Sequence, residues 1–544
     1  MKAFAALLDR LVLTPRRNEK LLLLSEYFRV QPDPDRGYAL AALAGTLELN
    51  SVKPALLRAL TMTRVDSELF AYSYDYVGDL AETISLIWPA ADNVQPVNDL
   101  SLGTVITTLQ QTSRNSAPQL VETLLDALDV SERYALLKLV TGGLRIGVSA
   151  RLAKQALADF GQVELSEIEE LWHGLTPPYL SLFSWLDGSS SKPENDNPAP
   201  FRPVMLATPL DETETEKLIP EDFAAEWKWD GIRVQAVSEN GVKKLYSRSG
   251  DDITHAFPDI VSAIRFEGAI DGELLIRHAD GKTEPASFNA LQQRLNRKTV
   301  TVRQLQDFPA FIRVYDLLHR GNRLTGSDLR NLPFAQRRQH LEDFIKELDP
   351  SYFDLSPLLT FQTFAELRHL RNHPPHAVIE GLMLKRTDSI YSAGRPKGPW
   401  FKWKRDPYII DAVLIYAQRG HGKRSSYYSD FTFAVWSDAS EQAQLLPIGK
   451  AYSGFSDEEM KQLDRFVREN TIQRFGPVRA VRADRQHGLV VEVAFEGLNR
   501  STRHKSGLAM RFPRISRLRW DKPPAEADII QNLMQLLPDD PPAN

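Results

Sequence analysis

The chain has 544 residues, a formal net charge of −5 and no cysteine, with an isoelectric point near 6.2. That length predicts several domains rather than one core. The charge argues against indiscriminate coating of nucleic acid while allowing a basic face, and the missing thiols exclude disulfides, thiolate zinc modules and cysteine nucleophiles.

No stretch approaches the roughly 20 apolar residues that span a bilayer. Asp9 and Arg10 interrupt the apolar opening, which reads as an amphipathic first helix and not as a leader. A cytoplasmic protein is expected. From residue 1 to 187 the pattern is helical: 19–28 and 120–128 carry long-side-chain helix formers at helical spacing. Within this predicted all-α domain, Gly142, Gly143 and Arg145 lie in a loop that ends at Ser149, the expected N-cap of a helix over 150–160. Glycines permit close backbone approach and helix N-termini favour anions, so the loop suits a sugar-phosphate backbone. By itself it reads first as a connection between helices. Residues 188–200, GSSSKPENDNPAP, lack any large apolar anchor and predict a linker.

Beyond the linker the period changes to two. Runs at 231–237 and 242–247 joined by Asn240-Gly241 predict a tight hairpin. Just before it, on the segment 226–229, strand alternation puts Glu226 and Lys228 on one face and Trp227 and Trp229 on the other. Desolvation beside tryptophans would favour a neutral amine, the form a nucleophile at phosphorus requires. An isolated Lys-x-Asp-Gly is equally a hairpin with an incidental charge pair. Arg248 closes the hairpin. Apolar strands at 269–276 and 378–384 each carry a carboxylate, Glu273 and Glu380, which is costly unless paired or metal-bound. Two such groups suit a magnesium ion held against phosphate oxygens. Tyr315-Asp316 sits in a third apolar strand. In the segment 400–404, Lys402 and Lys404 share a face and would repel unless a polyphosphate neutralised them. Short strands at 411–416, 431–436, 445–449 and 488–495 predict a small barrel-like β domain. The basic run over 511–522 ends in Arg519, Asp521 and Lys522, and a short helix over 528–537 precedes a frayed end.

Taken in order, these segments resemble the motifs of the ATP-dependent DNA ligases, within the covalent nucleotidyltransferase superfamily that also contains RNA ligases and mRNA capping enzymes. The 141–149 loop is similar to one in the DNA-binding domain of the larger members. The resemblance implies that Lys228 takes AMP from ATP, that Glu226 reads the adenine amino group, and that Arg233 contacts the ribose. It also implies stacking of adenine on Tyr315, where phenylalanine is usual. Glu273 and Glu380 would hold Mg2+ or Mn2+, with Glu273 also serving the nucleotide, while Lys402 and Lys404 would grip the triphosphate, preceded by Arg395. Arg519 and Lys522 would clamp the leaving pyrophosphate. Arg248, Arg145, Gly142 and Gly143 would contact DNA.

The implied architecture is multidomain. It has an all-α DNA-binding domain (1–187), a linker (188–200), an α/β nucleotidyltransferase domain of ATP-grasp-like adenylation type (201–405), an all-β OB-fold domain (406–522) and a tail (523–544). The implied function is sealing of 5′-phosphate/3′-hydroxyl nicks in duplex DNA through lysyl-AMP and DNA-adenylate, by a bacterial or archaeal monomer acting in repair. An RNA ligase, a capping-type enzyme and a non-catalytic nucleic-acid-binding scaffold are the alternatives. NAD-dependent ligation is disfavoured by the absent cysteine zinc module and nicotinamide-binding domain.

Overall fold

The computed structural model describes every residue except 78, 90–99, 279–284, 287, 296, 298, 323–324, 420–426, 477, 502–503 and 538–544. The expected tail is thus described only to residue 537. No helix among the described residues is long and apolar enough to cross a membrane. The chain divides into two compact units, Met1–Asn195 with Ile415–Phe431 and Ser456–Arg482, and Asp196–Leu414 with Thr432–Phe455 and Ala483–Asn544. The stretch 406–522 therefore contributes to both.

The first unit begins as a succession of helices from Lys2–Leu13 to Leu180–Leu186. Arg17–Val30, Ala117–Ala127 and Ala150–Gly161 cover the three runs whose spacing predicts helices, except that Leu128 is the extended residue that ends the second. Their apolar stripes meet in one core that includes Phe4, Leu24, Phe28, Leu136, Leu157 and Phe183; truncating one such leucine to alanine costs about 2–5 kcal/mol. Ser25 on Arg17–Val30 donates to the Ala156 carbonyl at 3.0 Å, fixing that helix against Ala150–Gly161. Later in the chain, the same unit holds antiparallel pairing of Tyr416 with Ala480 and of Gln418 with Val478. It also holds a helix, Asp457–Asn470, which departs from the expected all-β region. Its signals are local and sufficient. Ser456 and Glu459 form a reciprocal capping box, and Met460, Leu463 and Val467 are buried at helical spacing.

Besides its C-terminal strands, the second unit carries, among the described residues, two mainly antiparallel sheets that build the site. One orders Thr208–Pro209, Trp400–Lys404, Ile379–Arg386, Phe223–Trp229 and Leu358–Leu359. The other orders Val242–Ser247, Ile232–Glu239, Gly268–Ile276, Ala310–Arg320 and Ser327–Asp328, with Phe353–Leu355 beside Ala310–Arg320. The Asn240-Gly241 hairpin forms as predicted: both residues have positive φ, 53° and 78°, as a tight two-residue turn requires. Trp227, Trp229, Leu275, Phe311, Leu382 and Trp403 interdigitate in one core, joining residues of the two sheets. The opposite face of Phe223–Trp229 is thereby left for its polar side chains. Further along, Val490–Phe495 pairs with the start of Tyr408–Arg419 on one side and with Arg514–Arg519 on the other, giving the β-rich C-terminal region.

Candidate active site

A cleft of about 410 Å³ in the second unit is lined by Glu226, Lys228, Arg233, Arg248, Glu273, Tyr315, Glu380, Lys402 and Lys404. These are nine of the residues singled out from the sequence, and strands of both sheets supply all but Arg248, which follows Val242–Ser247 in a turn. Alternation does most of the placing. On Phe223–Trp229 the tryptophans go into the core and Glu226 and Lys228 face the cleft; on Trp400–Lys404, Phe401 and Trp403 go into the core and the two lysines face the cleft.

Lys228 Nζ lies 3.1 Å from Glu380 Oε2, with 22% of the lysine side chain exposed. Its immediate charged neighbour is thus a carboxylate, and the expected tryptophan shielding is indirect because the indoles point the other way. Glu380 reaches the lysine from an irregularity in the strand pairing, where the register between Ile379–Arg386 and Phe223–Trp229 shifts between Ile379 and Gly381. Such bulges re-aim a side chain. Gly381, at φ 150°, permits it: a Cβ there would stand 2.3 Å from the Trp403 carbonyl oxygen.

The carboxylates differ sharply. Burial pushes the Glu273 carboxyl up to about 8, against the pull of Lys228 and with the push of Glu380. Burial acts the same way on Glu380, but the ammonium groups of Lys228 and Lys404 outweigh it and hold that carboxyl at about 2. Burial together with the like charges of Arg395, Lys404 and Lys228 pulls Lys402 below its ordinary value. Cations are therefore crowded at one end of the cleft, the condition in which a polyphosphate would bind.

The structural pairing that a buried carboxylate demands is met by Asp271, not Glu273. Asp271 accepts from Arg233 at 3.0 and 2.6 Å and from the Tyr391 hydroxyl at 2.6 Å. Arg233 is held by this pair at the wall of the cleft and also donates to the Met205 carbonyl at 2.6 Å. Glu226 is held by Lys385 at 2.6 Å and Arg338 at 3.1 Å. Lys385 in turn sits over the Tyr315 ring at 4.5 Å and the Trp400 ring at 4.7 Å.

Sequence reasoning passes over Lys385, Tyr391 and Trp400. A lone lysine in the apolar strand after Glu380, on the same alternation as Met383, is a usable signal. Tyr391 gives none, because it lies in a loop. Asp230 is paired with Arg511, whose guanidinium also lies over Phe288 at 4.4 Å. In the sequence Arg511 is legible only as part of a basic run.

Two predicted groups lie elsewhere. Arg519 and Lys522 do not line the lysine cleft; both face Asp411 Oδ2, at 3.3 and 2.7 Å. The pairing of Val490–Phe495 between Tyr408–Arg419 and Arg514–Arg519 puts them there. Gly142, Gly143 and Arg145 belong to the first unit. Gly142, at φ 72°, closes helix Val130–Thr141. Arg145 is exposed with φ 47°, and the buried Ile146 beside it accepts from Lys20 Nζ. Ser149 caps the next helix as predicted, accepting from the Leu152 N–H at 3.2 Å. An open groove here is lined by Arg17, Lys20, Gly147, Ser149 and Arg151.

A lysine and two carboxylates thus line a cation-rimmed cleft walled by strands of two mainly antiparallel sheets, an arrangement suited to an enzyme that works on a polyphosphate. The chain matches family models described as DNA ligase N terminus over residues 1–158, ATP dependent DNA ligase domain over 204–404 and ATP dependent DNA ligase C terminal region over 424–522. It is 30% identical to a protein of Koribacter versatilis described as a probable DNA ligase, covering 98% of this chain and 96% of that one. To a protein of Korarchaeum cryptofilum described as DNA ligase 1 it is 29% identical, covering 98% of each. A solved structure named Pmar-Lig_PreS3 shares the fold, with a TM-score of 0.60 at 15% identity over 95% of this chain and 99% of the other. The chain belongs to the ATP-dependent DNA ligase family and is a ligase enzyme.

Proposed function

We propose that this ligase seals nicks between a 5′-phosphate and a 3′-hydroxyl in duplex DNA, with Lys228 as its nucleophile and ATP as the AMP donor. The observation that carries the assignment is the position of Lys228, beside Glu380 and Glu273 at the foot of a cleft rimmed by Lys402, Lys404 and Arg248. In the first transfer Lys228 gives up its ammonium proton to solvent, attacks the α-phosphorus with the freed lone pair, and loses a second proton to solvent as the phosphoramidate forms. A nitrogen–phosphorus bond forms, the bond to the bridging oxygen breaks, and pyrophosphate leaves with its charge met by lysines. In the second, an oxygen of the nick 5′-phosphate displaces Lys228. In the third, the 3′-hydroxyl attacks that phosphate and AMP leaves.

Tyr315 offers a face to adenine, and Glu226, pinned by two cations, is set to accept from its exocyclic amine. Arg233, locked on Asp271, lies where a ribose would rest. Arg519 and Lys522 would close on the leaving pyrophosphate, while Arg248, Arg145, Gly142 and Gly143 would meet DNA. Among the described residues no cluster of three or more metal-ligating side chains occurs. Mg2+ needs only one or two carboxylates beside phosphate oxygens and water, and Glu273 and Glu380 fit that requirement. The ion would supply positive charge to the reacting phosphate. Mn2+ would fit the same oxygens.

Incubation with α-labelled ATP or GTP and a nicked duplex tests the assignment. Label on Lys228 from ATP, followed by closure of a DNA nick, is expected. Preferential labelling from GTP, or joining confined to RNA ends, would favour a capping-type enzyme or an RNA ligase.

A further inference from the structure

Three of the four cations assigned above to the triphosphate and its leaving group already have a carboxylate partner from the β-rich C-terminal part of the same unit. Lys404 Nζ lies 2.7 Å from Glu496 Oε2, closer than its 3.2 Å approach to Glu380. Arg519 and Lys522 converge on a single oxygen of Asp411; Arg519 also pairs with Asp521 at 2.9 Å. Both acids are fixed by backbone hydrogen bonds. The Asp411 N–H donates to Asp528 Oδ2 at 2.8 Å, and the Glu496 N–H donates to the Arg511 carbonyl at 2.9 Å. Neither acid lines the lysine cleft, and the chemistry of phosphoryl transfer gives neither a role at the reacting atoms.

A carboxylate at 2.7 Å takes one of an ammonium's three donors and offsets its charge, so it competes with a phosphate oxygen for that cation. We propose that Glu496 and Asp411 are positioning residues that act as surrogate anions for the β- and γ-phosphates of ATP, occupying Lys404 and the Arg519–Lys522 pair whenever no triphosphate is bound. The inference rests on the reading of those three cations as the triphosphate clamp. ATP competes with both carboxylates for these cations, and pyrophosphate leaves more readily because the carboxylates take the cations back. The two acids thus weaken ATP and pyrophosphate binding together. They also keep the cations neutralised in the later steps, when the bound nucleotide is AMP alone.

The test measures Lys228 labelling against ATP concentration, and its inhibition by added pyrophosphate, in full-length Glu496→Gln, Asp411→Asn and Glu496→Asp. Each partly exposed pair is worth a factor of about two to five. The amide variants should therefore lower the KM for ATP and the inhibition constant for pyrophosphate by about that factor each, without lowering the maximal labelling rate. Glu496→Asp, which keeps the charge, should stay near the parent. Unchanged constants in both amide variants would overturn the proposal, as would equal shifts in Glu496→Gln and Glu496→Asp or a rise in KM. Lys404→Ala and Lys522→Ala separate this failure from failure of the underlying reading. If neither lysine variant raises the KM for ATP or slows labelling, the clamp itself is misassigned; if they do while the amides are silent, only the surrogate role falls.

Discussion

Glu380 Oε2 lies 3.1 Å from Lys228 Nζ, held there by a bulge that only the close packing of Gly381 on Trp403 allows. This approach places a carboxylate against the proposed nucleophile from a different strand, so the pair is a product of folding and not of local sequence. Lys228→Ala is expected to abolish covalent AMP labelling while still joining a chemically pre-adenylated nick at a reduced rate, since the amine's nucleophilic role ends once AMP is on DNA. Labelling that persists on another lysine would sink the assignment.

Tyr315 lines the cleft with Lys385 over its ring at 4.5 Å and Arg233 at 5.8 Å. Its hydroxyl has no part in stacking. Tyr315→Phe should therefore keep the KM for ATP within about twofold, whereas Tyr315→Ala should raise it by roughly 5- to 150-fold, the worth of about 1–3 kcal/mol of base stacking. A large loss in Tyr315→Phe would assign the hydroxyl, and not the ring, to the nucleotide.

Glu273 gives a pH dependence with a definite sign. Burial raises its carboxyl from the usual range to about 8 in the folded, nucleotide-free protein. Between the unfolded value near 4.3 and about 8 the folded state holds the extra proton, so this group's contribution to stability is complete below that window and is lost as pH rises through it. Glu273→Gln stays neutral throughout. Thermal unfolding of metal-free protein should fall less steeply between about pH 5 and 8 in the variant than in the parent. Parallel curves would show that Glu273 is already ionised at neutral pH.

Much of the cleft is legible in the sequence because alternation along a strand is local. Glu226 with Lys228, and Lys402 with Lys404, can be assigned a common face from spacing alone. The hairpin at Asn240-Gly241 and the Ser149 cap are likewise local signals. What alternation leaves undetermined is the pairing across elements. Asp271 and Glu273 occupy the same strand face, and nothing in their spacing says that Arg233 and Tyr391 take the first and leave the second for the lysine. The partners of Arg519 and Lys522 depend on strand order in the β-rich region, which places Asp411 beside them. The helix Asp457–Asn470 is different: its capping box is present in the sequence and is outweighed there by the surrounding short strands.

The loop around Gly142 and Arg145 is proposed to bear on DNA and not on ATP. Arg145 is exposed in a left-handed turn, and the nearby groove carries Arg17 and Arg151 beside the N-terminus of the helix that Ser149 caps. All of these residues lie in the first unit, whereas the whole lysine cleft lies in the second. Arg145→Ala and Arg17→Ala should therefore leave ATP-dependent labelling of Lys228 within about twofold of the parent, the small effect expected of a surface change away from the site. Binding to a nicked duplex should weaken, and its dependence on salt should flatten. Every phosphate that the variant no longer neutralises keeps its counterion, which lowers the slope of log affinity against log salt by roughly 0.9 on duplex DNA. The decisive measurement is that slope across a salt series for the parent, each single variant and the double variant. A double variant whose affinity and slope both match the parent would remove this face from the DNA interface. Weaker binding with an unchanged slope would mean that the arginines shape the loop without touching phosphate.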